Sequence, residues 1–417
     1  MMKNRIMILG ALEEFVPLVR LAESRGIRTV VADGNSGAPA KQEADEAYDL
    51  DIRDTEALSE LMRKTQVDGV VTAYSDLLLE CMVKAAALAG LPCHIRPGQL
   101  PWYRDKYVTN RTLEKLGIGT PKSTILKKDF ADSELEGISF PIVIKPLDMY
   151  GSRGLRIVYS TEEIREAFDL CVSTSGNKTL LAEEYVDTHE FNIQCWVRHG
   201  TVHILGIADR EKSFVSRHDI PVSTRNIYPS RLIREVRDGA LDILQKYIGV
   251  TGQSEGPLCM QFYWGRERGL EVGEIAARFL GYEHELLQFA DDFSVEELLL
   301  DSVFDSGRLD AELAKGDAMG RKCAAVLYFH GRDGIAADLS RAIAIGSRND
   351  VQYSRVFYHE GQRIGNPQTM PYVARYDIVA DSRGEIDRIS QEILDGISVK
   401  DPQGKELLVR NVLGTYE

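Results

Sequence analysis

Cysteine is scarce and scattered. There are six in 417 residues, at Cys81, Cys93, Cys171, Cys195, Cys259 and Cys323, with no CxxC pair among them. That spacing argues against a disulfide framework and suits reduced thiols in a cytoplasmic protein, each better explained by burial than by nucleophilic chemistry. No apolar stretch approaches the ~20 residues that span a bilayer. The run Ile6–Leu9 near the N-terminus is far too short for a secretory signal. The histidines, eight in all, show no metal-ligand spacing. The GxGxxG fingerprint is missing, and Gly10 alone occupies the first turn, so a dinucleotide pyrophosphate has no obvious seat. Positive charge is in deficit, with 50 Lys plus Arg against 64 Asp plus Glu and a net charge of −14. This excludes a general nucleic-acid-coating role and leaves room for a local basic cleft around a nucleotide.

What is present is ordinary for a folded chain: 44% hydrophobic and 27% charged residues, long enough for two to four domains or subdomains. The first hundred residues alternate strand and helix signals. Apolar runs at Ile6–Leu9, Thr29–Ala32, Tyr48–Leu50 and Gly69–Thr72 are separated by helical spacings that start at Phe15, at Asp54 and near Leu79. That rhythm predicts a parallel α/β sheet with helices on both faces. Ligands of such sheets sit beyond the carboxyl ends of the strands, where Gly10, Asp33 and Tyr74–Asp76 fall. For Asp33 a turn-forming role before Gly34 is the plainer reading. Beyond a Pro-punctuated linker, Asp105 caps a helix, and hairpins are expected around His199-Gly200 and Gly265–Gly269. A long amphipathic helix from Leu232 ends at Gly249. Strands and a last helix, Arg383–Leu394, close the chain. His330, before Gly331, reads as a turn residue. Trp196, Tyr263 and Trp264 read as core.

Several charged residues stand at strand ends. Lys145 ends the apolar strand Pro141–Lys145, and a loop with Gly151, Ser152, Arg153 and Gly154 follows at once. Glycines let backbone N–H groups approach phosphate oxygens, and a neighbouring Lys neutralises them as a point charge. Glu183-Glu184-Tyr185-Val186 ends another strand, with Glu190 seven residues after Glu183. Glu274 closes the second hairpin, with Arg278 four residues on. Strand alternation puts Glu274 on one face with Val272 and sends Glu271 to the other. Each feature alone also fits a solvated rim, a turn or a surface ion pair.

Their order and spacing together resemble the ATP-grasp superfamily, and more nearly its biotin carboxylase, carbamoyl phosphate synthase and L-amino acid ligase branches. The stretch Ser152-Arg153-Gly154-Leu155-Arg156-Ile157-Val158 is similar to the biotin carboxylase phosphate loop and return strand. The resemblance covers about residues 5–285. It implies an α/β (α+β ATP-grasp) fold: an N-terminal α/β domain over 1–100, a linker helix and lid over 101–182, an antiparallel catalytic subdomain over 183–300, and a C-terminal extension over 301–417. Lys106 and Lys145 match the lysines on ATP phosphates, and Gly151, Ser152, Arg153 and Gly154 the closing loop. Glu183 matches the acceptor of the adenine amine, Tyr185 and Val186 the adenine-binding linker, and Glu190 the ribose ligand. Glu274 matches a metal-binding acid, and Arg278 the Arg that steadies the carboxylate or acyl phosphate. Arg210 stands where a basic group often lies near the reacting centre.

That resemblance implies an ATP-dependent carboxylate-amine ligase working through an acyl phosphate, with ATP and Mg²⁺ (or Mn²⁺) and with small carboxylates and amines as substrates. No nucleic acid or membrane partner is implied, and a homodimer is as compatible with the sequence as a monomer. Two positions depart from the pattern. The earlier metal-binding acid is Gln261, and the metal-binding Asn after Glu274 is Ala276. Glu283 is a candidate replacement acid. A degenerate nucleotide-binding protein and a carboxylase of the biotin carboxylase type are the alternatives.

Overall fold

The N-terminal β–α alternation folds as its periodicity predicts. Strands β1 (Arg5–Leu9), β2 (Arg28–Asp33), β3 (Glu46–Asp49) and β4 (Gly69–Val71) form a parallel sheet in the order β3-β2-β1-β4. The β1 residues Ile6 to Leu9 are fully buried, as strands covered on both faces require. Gly26 takes φ +71° after the first helix, a conformation open to glycine at little steric cost. Asp33 behaves as a turn residue: its Oδ1 accepts from Asn35 N at 2.7 Å. Gly10 serves packing, since a Cβ there would meet Phe15 and Leu78 at 2.5 and 2.7 Å.

This computed structural model describes residues 4–146, 155–173, 175–176, 178–213, 216–218, 221–281, 283–315, 320–365 and 370–414. A small antiparallel sheet follows the N-terminal unit. It comprises β5 (Ser123–Leu126), β6 (Ile142–Pro146), β7 (Arg156–Val158) and β8 (Leu180–Glu184), ordered β5-β8-β6-β7, with its own apolar core around Ile142, Ile144 and Phe168.

The large sheet has eight strands. In chain order they are β9 (His189–Arg198), β10 (Thr201–Ser213), β11 (Val222–Tyr228), β12 (Glu255–Gly265), β13 (Gly269–Ala276), β14 (Cys323–His330), then β16 (Val351–Val356) and β18 (Tyr372–Ala380). Two short strands, β15 (Gly334–Ile335) and β17 (Arg363–Ile364), pair with each other. The order β13-β12-β9-β10-β11-β14-β18-β16 makes β14, β18 and β16 direct hydrogen-bonded continuations of the sheet that carries Glu190 and Glu274. The expected hairpins at His199-Gly200 and Gly265–Gly269 are both present.

Local readings shift in three places. The helix Ile233–Thr251 runs through Gly249 and stops at Gly252, the residue with left-handed φ. His330 ends β14 and is buried rather than turning, and burial lowers its imidazole to about 4. In β13 the register shift opposite Gln261 and Phe262 breaks simple alternation, so Val272 is buried while Glu274 is exposed. Among the described residues, no helix is long and apolar enough to cross a membrane.

Candidate active site

Lys106, Lys145 and Glu183 come from three separate elements and meet at one point. Asp105 caps the helix Lys106–Lys115 by accepting from Tyr107 N at 2.9 Å and Val108 N at 3.2 Å, which sets Lys106 in the first turn. From there Lys106 Nζ donates to the Gly273 carbonyl on β13 and lies 3.4 Å from Glu183 Oε2. Lys145, one residue from the end of β6, places Nζ 3.8 Å from Glu183 Oε1. Burial pushes the Lys145 ammonium below its ordinary value against the pull of Glu183. Burial also opposes ionisation of Glu183, but the two lysines outweigh it and hold the carboxyl below the usual range. Two cations on one buried carboxylate form an anion-ready site: phosphate oxygens can take over one or both lysines. Glu183 Oε2 is buried with no hydrogen bond among the described residues, so an incoming amine N–H has an acceptor. Tyr185 and Val186 follow directly, half-buried, with Tyr185 N donating to Pro141 O at 2.9 Å. The loop Gly151, Ser152, Arg153 and Gly154 lies outside the described residues.

Glu190 on β9 is buried and pairs with two cations of β10, Arg210 and Lys212. Burial works against its charge, and Lys212 and Arg210 overcome that to keep it ionised. Arg210 Nη2 also donates to Ser223 Oγ at 3.2 Å. Lys212 was not singled out in the sequence; its place two residues beyond Arg210 on one strand was the available signal. Tyr263, read as core, stands opposite Glu190 in the β12–β9 register and lines the same cleft.

Gln261 and Glu274 are direct cross-strand partners, and Gln261 is in turn opposite Asn192. Glu274 Oε1 lies 4.0 Å from Arg278 Nη2. One carboxylate beside a neutral amide oxygen fits Mg²⁺ held largely by substrate phosphates and water, the usual mode for a nucleotide-bound Mg²⁺. Among the described residues, no group of three His, Cys, Asp or Glu is arranged to hold a metal by protein alone. Arg278 has an unexpected partner. Its Nε and Nη2 each donate at 2.8 Å to the two oxygens of Asp76, and Nη1 donates to Phe279 O at 3.0 Å. Asp76 opens the helix Asp76–Ala89 beyond the carboxyl end of β4, within the region that the parallel-sheet rule marks.

Further along the same face, Glu283 is buried between two carboxamides. Asn192 Nδ2 donates to its Oε1 at 2.9 Å and Asn226 Nδ2 to its Oε2 at 3.0 Å. Burial raises Glu283 to about 7, partly offset by Asn192 and Arg210. His284 stacks on Tyr74 at 4.3 Å between rings, with its nitrogens 3.2 and 3.3 Å from Glu285 and Glu296. Burial disfavours its charge, but those two carboxylates raise it to about 9. Arg375, on β18, donates to Glu285 at 2.8 Å and Asp377 at 2.7 Å. Nothing local in the sequence joined Asn192, Asn226 or Arg375 to the site, because contacts between residues 57 to 91 positions apart bring them there.

Residues 138–283 match the family model described as an ATP-grasp domain. A formate-dependent phosphoribosylglycinamide formyltransferase of Francisella tularensis (strain WY96-3418) is 28% identical over 198 residues, 44% of this chain and 48% of that protein. The chain thus aligns with about half the length of the curated relatives it matches. An L-amino acid ligase from Bacillus licheniformis superposes with TM-score 0.79 at 20% identity, covering 96% of this chain and 99% of the other. A biotin carboxylase from Campylobacter jejuni, solved as a beta-gamma-ATP complex, gives TM-score 0.69 at 14% identity, covering 97% of this chain and 93% of the other. At these identities the structural likenesses speak for the fold.

Proposed function

We propose that this chain, which carries an ATP-grasp domain in a mixed α/β fold, is an ATP-dependent ligase that activates a small carboxylate and passes the acyl group to an amine. The observation that carries the reading is the convergence of Lys106 and Lys145 on buried Glu183. In the proposed complex both lysines turn to the triphosphate, and Glu183 accepts from the adenine amine beside Tyr185 and Val186. Glu190 takes a ribose hydroxyl, held ionised by Arg210 and Lys212. Gly151, Ser152, Arg153 and Gly154 would close over the phosphates.

Glu274 and Gln261 would hold Mg²⁺ (or Mn²⁺), which spreads charge on the transferring phosphoryl group. Arg278 orients the carboxylate that attacks the γ-phosphorus, and Asp76 fixes the Arg278 fork from behind. Arg210 stands near the reacting centre as a fixed positive charge. The chain's main contribution is position and preset electrostatics, with no covalent enzyme intermediate.

The test is ADP and phosphate release from ATP and Mg²⁺, with each proteinogenic amino acid or short carboxylic acid as acceptor and hydroxylamine to trap the acyl group as hydroxamate. Hydroxamate dependent on one carboxylate supports the reading. ATP binding without ADP formation under any acceptor would replace it with a nucleotide-binding role.

A further inference from the structure

Asn192 and Asn226 are each more than nine-tenths buried, and each spends its Nδ2 on Glu283. With Glu283 ionised that fixes their orientation, since turning either carboxamide over would set oxygen against carboxylate oxygen. The other end of each group, Oδ1, is buried without a partner among the described residues. A buried acceptor left unmade costs about 1–3 kcal/mol, so two beside one carboxylate are an expensive arrangement unless something donates to them. An incoming carboxylate or phosphate would add only acceptors, so the group complementary to these oxygens carries donor hydrogens and positive charge. The position also fits a reacting group. Asn192 is the cross-strand neighbour of Gln261, which is opposite Glu274, and Asn226 is opposite Arg210. Cross-strand neighbours stand roughly 5 Å apart, one side-chain length from the place proposed for acyl transfer.

We infer that Asn192 Oδ1, Asn226 Oδ1 and Glu283 form the seat of the substrate amine, bound as an ammonium, and that Glu283 takes its proton. The inference rests on the ligase reading for its second half and on the geometry alone for its first. The ammonium gives one proton to the Glu283 carboxylate. The freed nitrogen lone pair forms the C–N bond to the acyl carbon while the C–O bond to phosphate breaks. The leaving phosphate takes that electron pair and the second N–H proton, giving amide, hydrogenphosphate and protonated Glu283, which returns its proton to solvent. The titratable groups facing Glu283 are Arg210 from β10, Cys259 from β12, Tyr328 from β14, Tyr372 from β18 and its neighbour His284. Burial keeps the carboxyl near 7, so it exchanges a proton readily at neutral pH.

Binding tests the seat apart from turnover. L-Alaninamide and ethylamine, which carry an amine and no carboxylate, are titrated calorimetrically into the full chain with ATP present. N-Acetyl-alaninamide, tetramethylammonium and Mg²⁺ without ATP serve as comparisons. Both amines are expected to bind, and the acetylated compound and the N–H-free cation are not. Asn226→Ala and Glu283→Gln should each weaken the amines about 10–150-fold, the span of one lost buried hydrogen bond to a charged group. Equal binding of tetramethylammonium, equal amine affinity in both variants, saturation by Mg²⁺ alone, or no amine binding would overturn the inference. The wild-type comparison of ethylamine with tetramethylammonium decides the matter even if a variant misfolds. Amine binding without carboxylate-dependent ADP formation would leave the seat standing and remove the ligase reading.

Discussion

Asp76→Asn is the sharpest test of how the N-terminal sheet is tied to the candidate site. The substitution keeps shape and one acceptor oxygen and removes the charge that both donors of Arg278 meet at 2.8 Å. At about 4 Å between charge centres and an effective dielectric of about 20, the attraction is about 4 kcal/mol. Two facts reduce it. The Asp76 side chain is 24% exposed and that of Arg278 11%, so solvent screens part of the field. Arg278 also retains Phe279 O at 3.0 Å and Glu274 at 4.0 Å. A net loss of about 2 kcal/mol remains, at the level of a charge-assisted hydrogen bond. Urea unfolding followed by tryptophan fluorescence, fitted by transition because a chain of this size need not unfold in two states, should show it. A double-mutant cycle with Arg278→Met, which removes the cation, isolates the pair. The coupling should be about 1–2 kcal/mol at 50 mM NaCl and shrink at 500 mM. A coupling below about 0.3 kcal/mol at low salt would refute the clamp.

Lys106→Met and Lys145→Met should each weaken ATP binding about 10–100-fold by calorimetry, since each removes one charged donor to phosphate; an unchanged affinity would place the triphosphate elsewhere. Glu283 has a folded-state pKa raised from 4.5 to about 7, so its neutral form favours the fold. That contribution is complete below about pH 4.5 and lost as pH rises through 7, and Glu283→Gln should gain on the order of 2 kcal/mol over wild type at pH 8 and nothing at pH 4. Asp209 has the opposite sign. It is fully buried and held down to about 2: burial opposes its charge, and His189, Arg383 and Ser230 prevail. Its stabilisation is present above about pH 4 and lost as pH falls through 2, so Asp209→Asn should flatten acid unfolding in that window. Arg225→Ala removes the two donors that meet fully buried Glu211 at 2.6 and 3.0 Å and leaves it Gly414 N at 3.0 Å and Arg383 at 3.5 Å, so the loss in urea unfolding should fall below the about 3–5 kcal/mol of an uncompensated buried charge. A loss under about 1 kcal/mol would show that Arg383 and Gly414 N hold Glu211 without Arg225.

Local signals set much of this molecule. The period-two and 3.6-residue patterns of the first hundred residues place β1, β2 and β4 within a residue at each end and β3 within two, and Asp54, Asp105 and Gly26 start or stop helices where capping chemistry says they should. The order and spacing of residues from Lys106 to Arg278 resemble those of the ATP-grasp superfamily, and residues 138–283 match that domain's family model. Tertiary structure decided the rest through long-range strand pairing. It set Glu183 between two lysines and closed Arg278 onto Asp76 from 202 residues away. It also brought Asn226 and Arg375 to the face that carries Glu190 and Asn192. A buried carboxylate acquires its protonation, and a carboxamide its missing partner, only from neighbours across a sheet, and no stretch of sequence lists those neighbours.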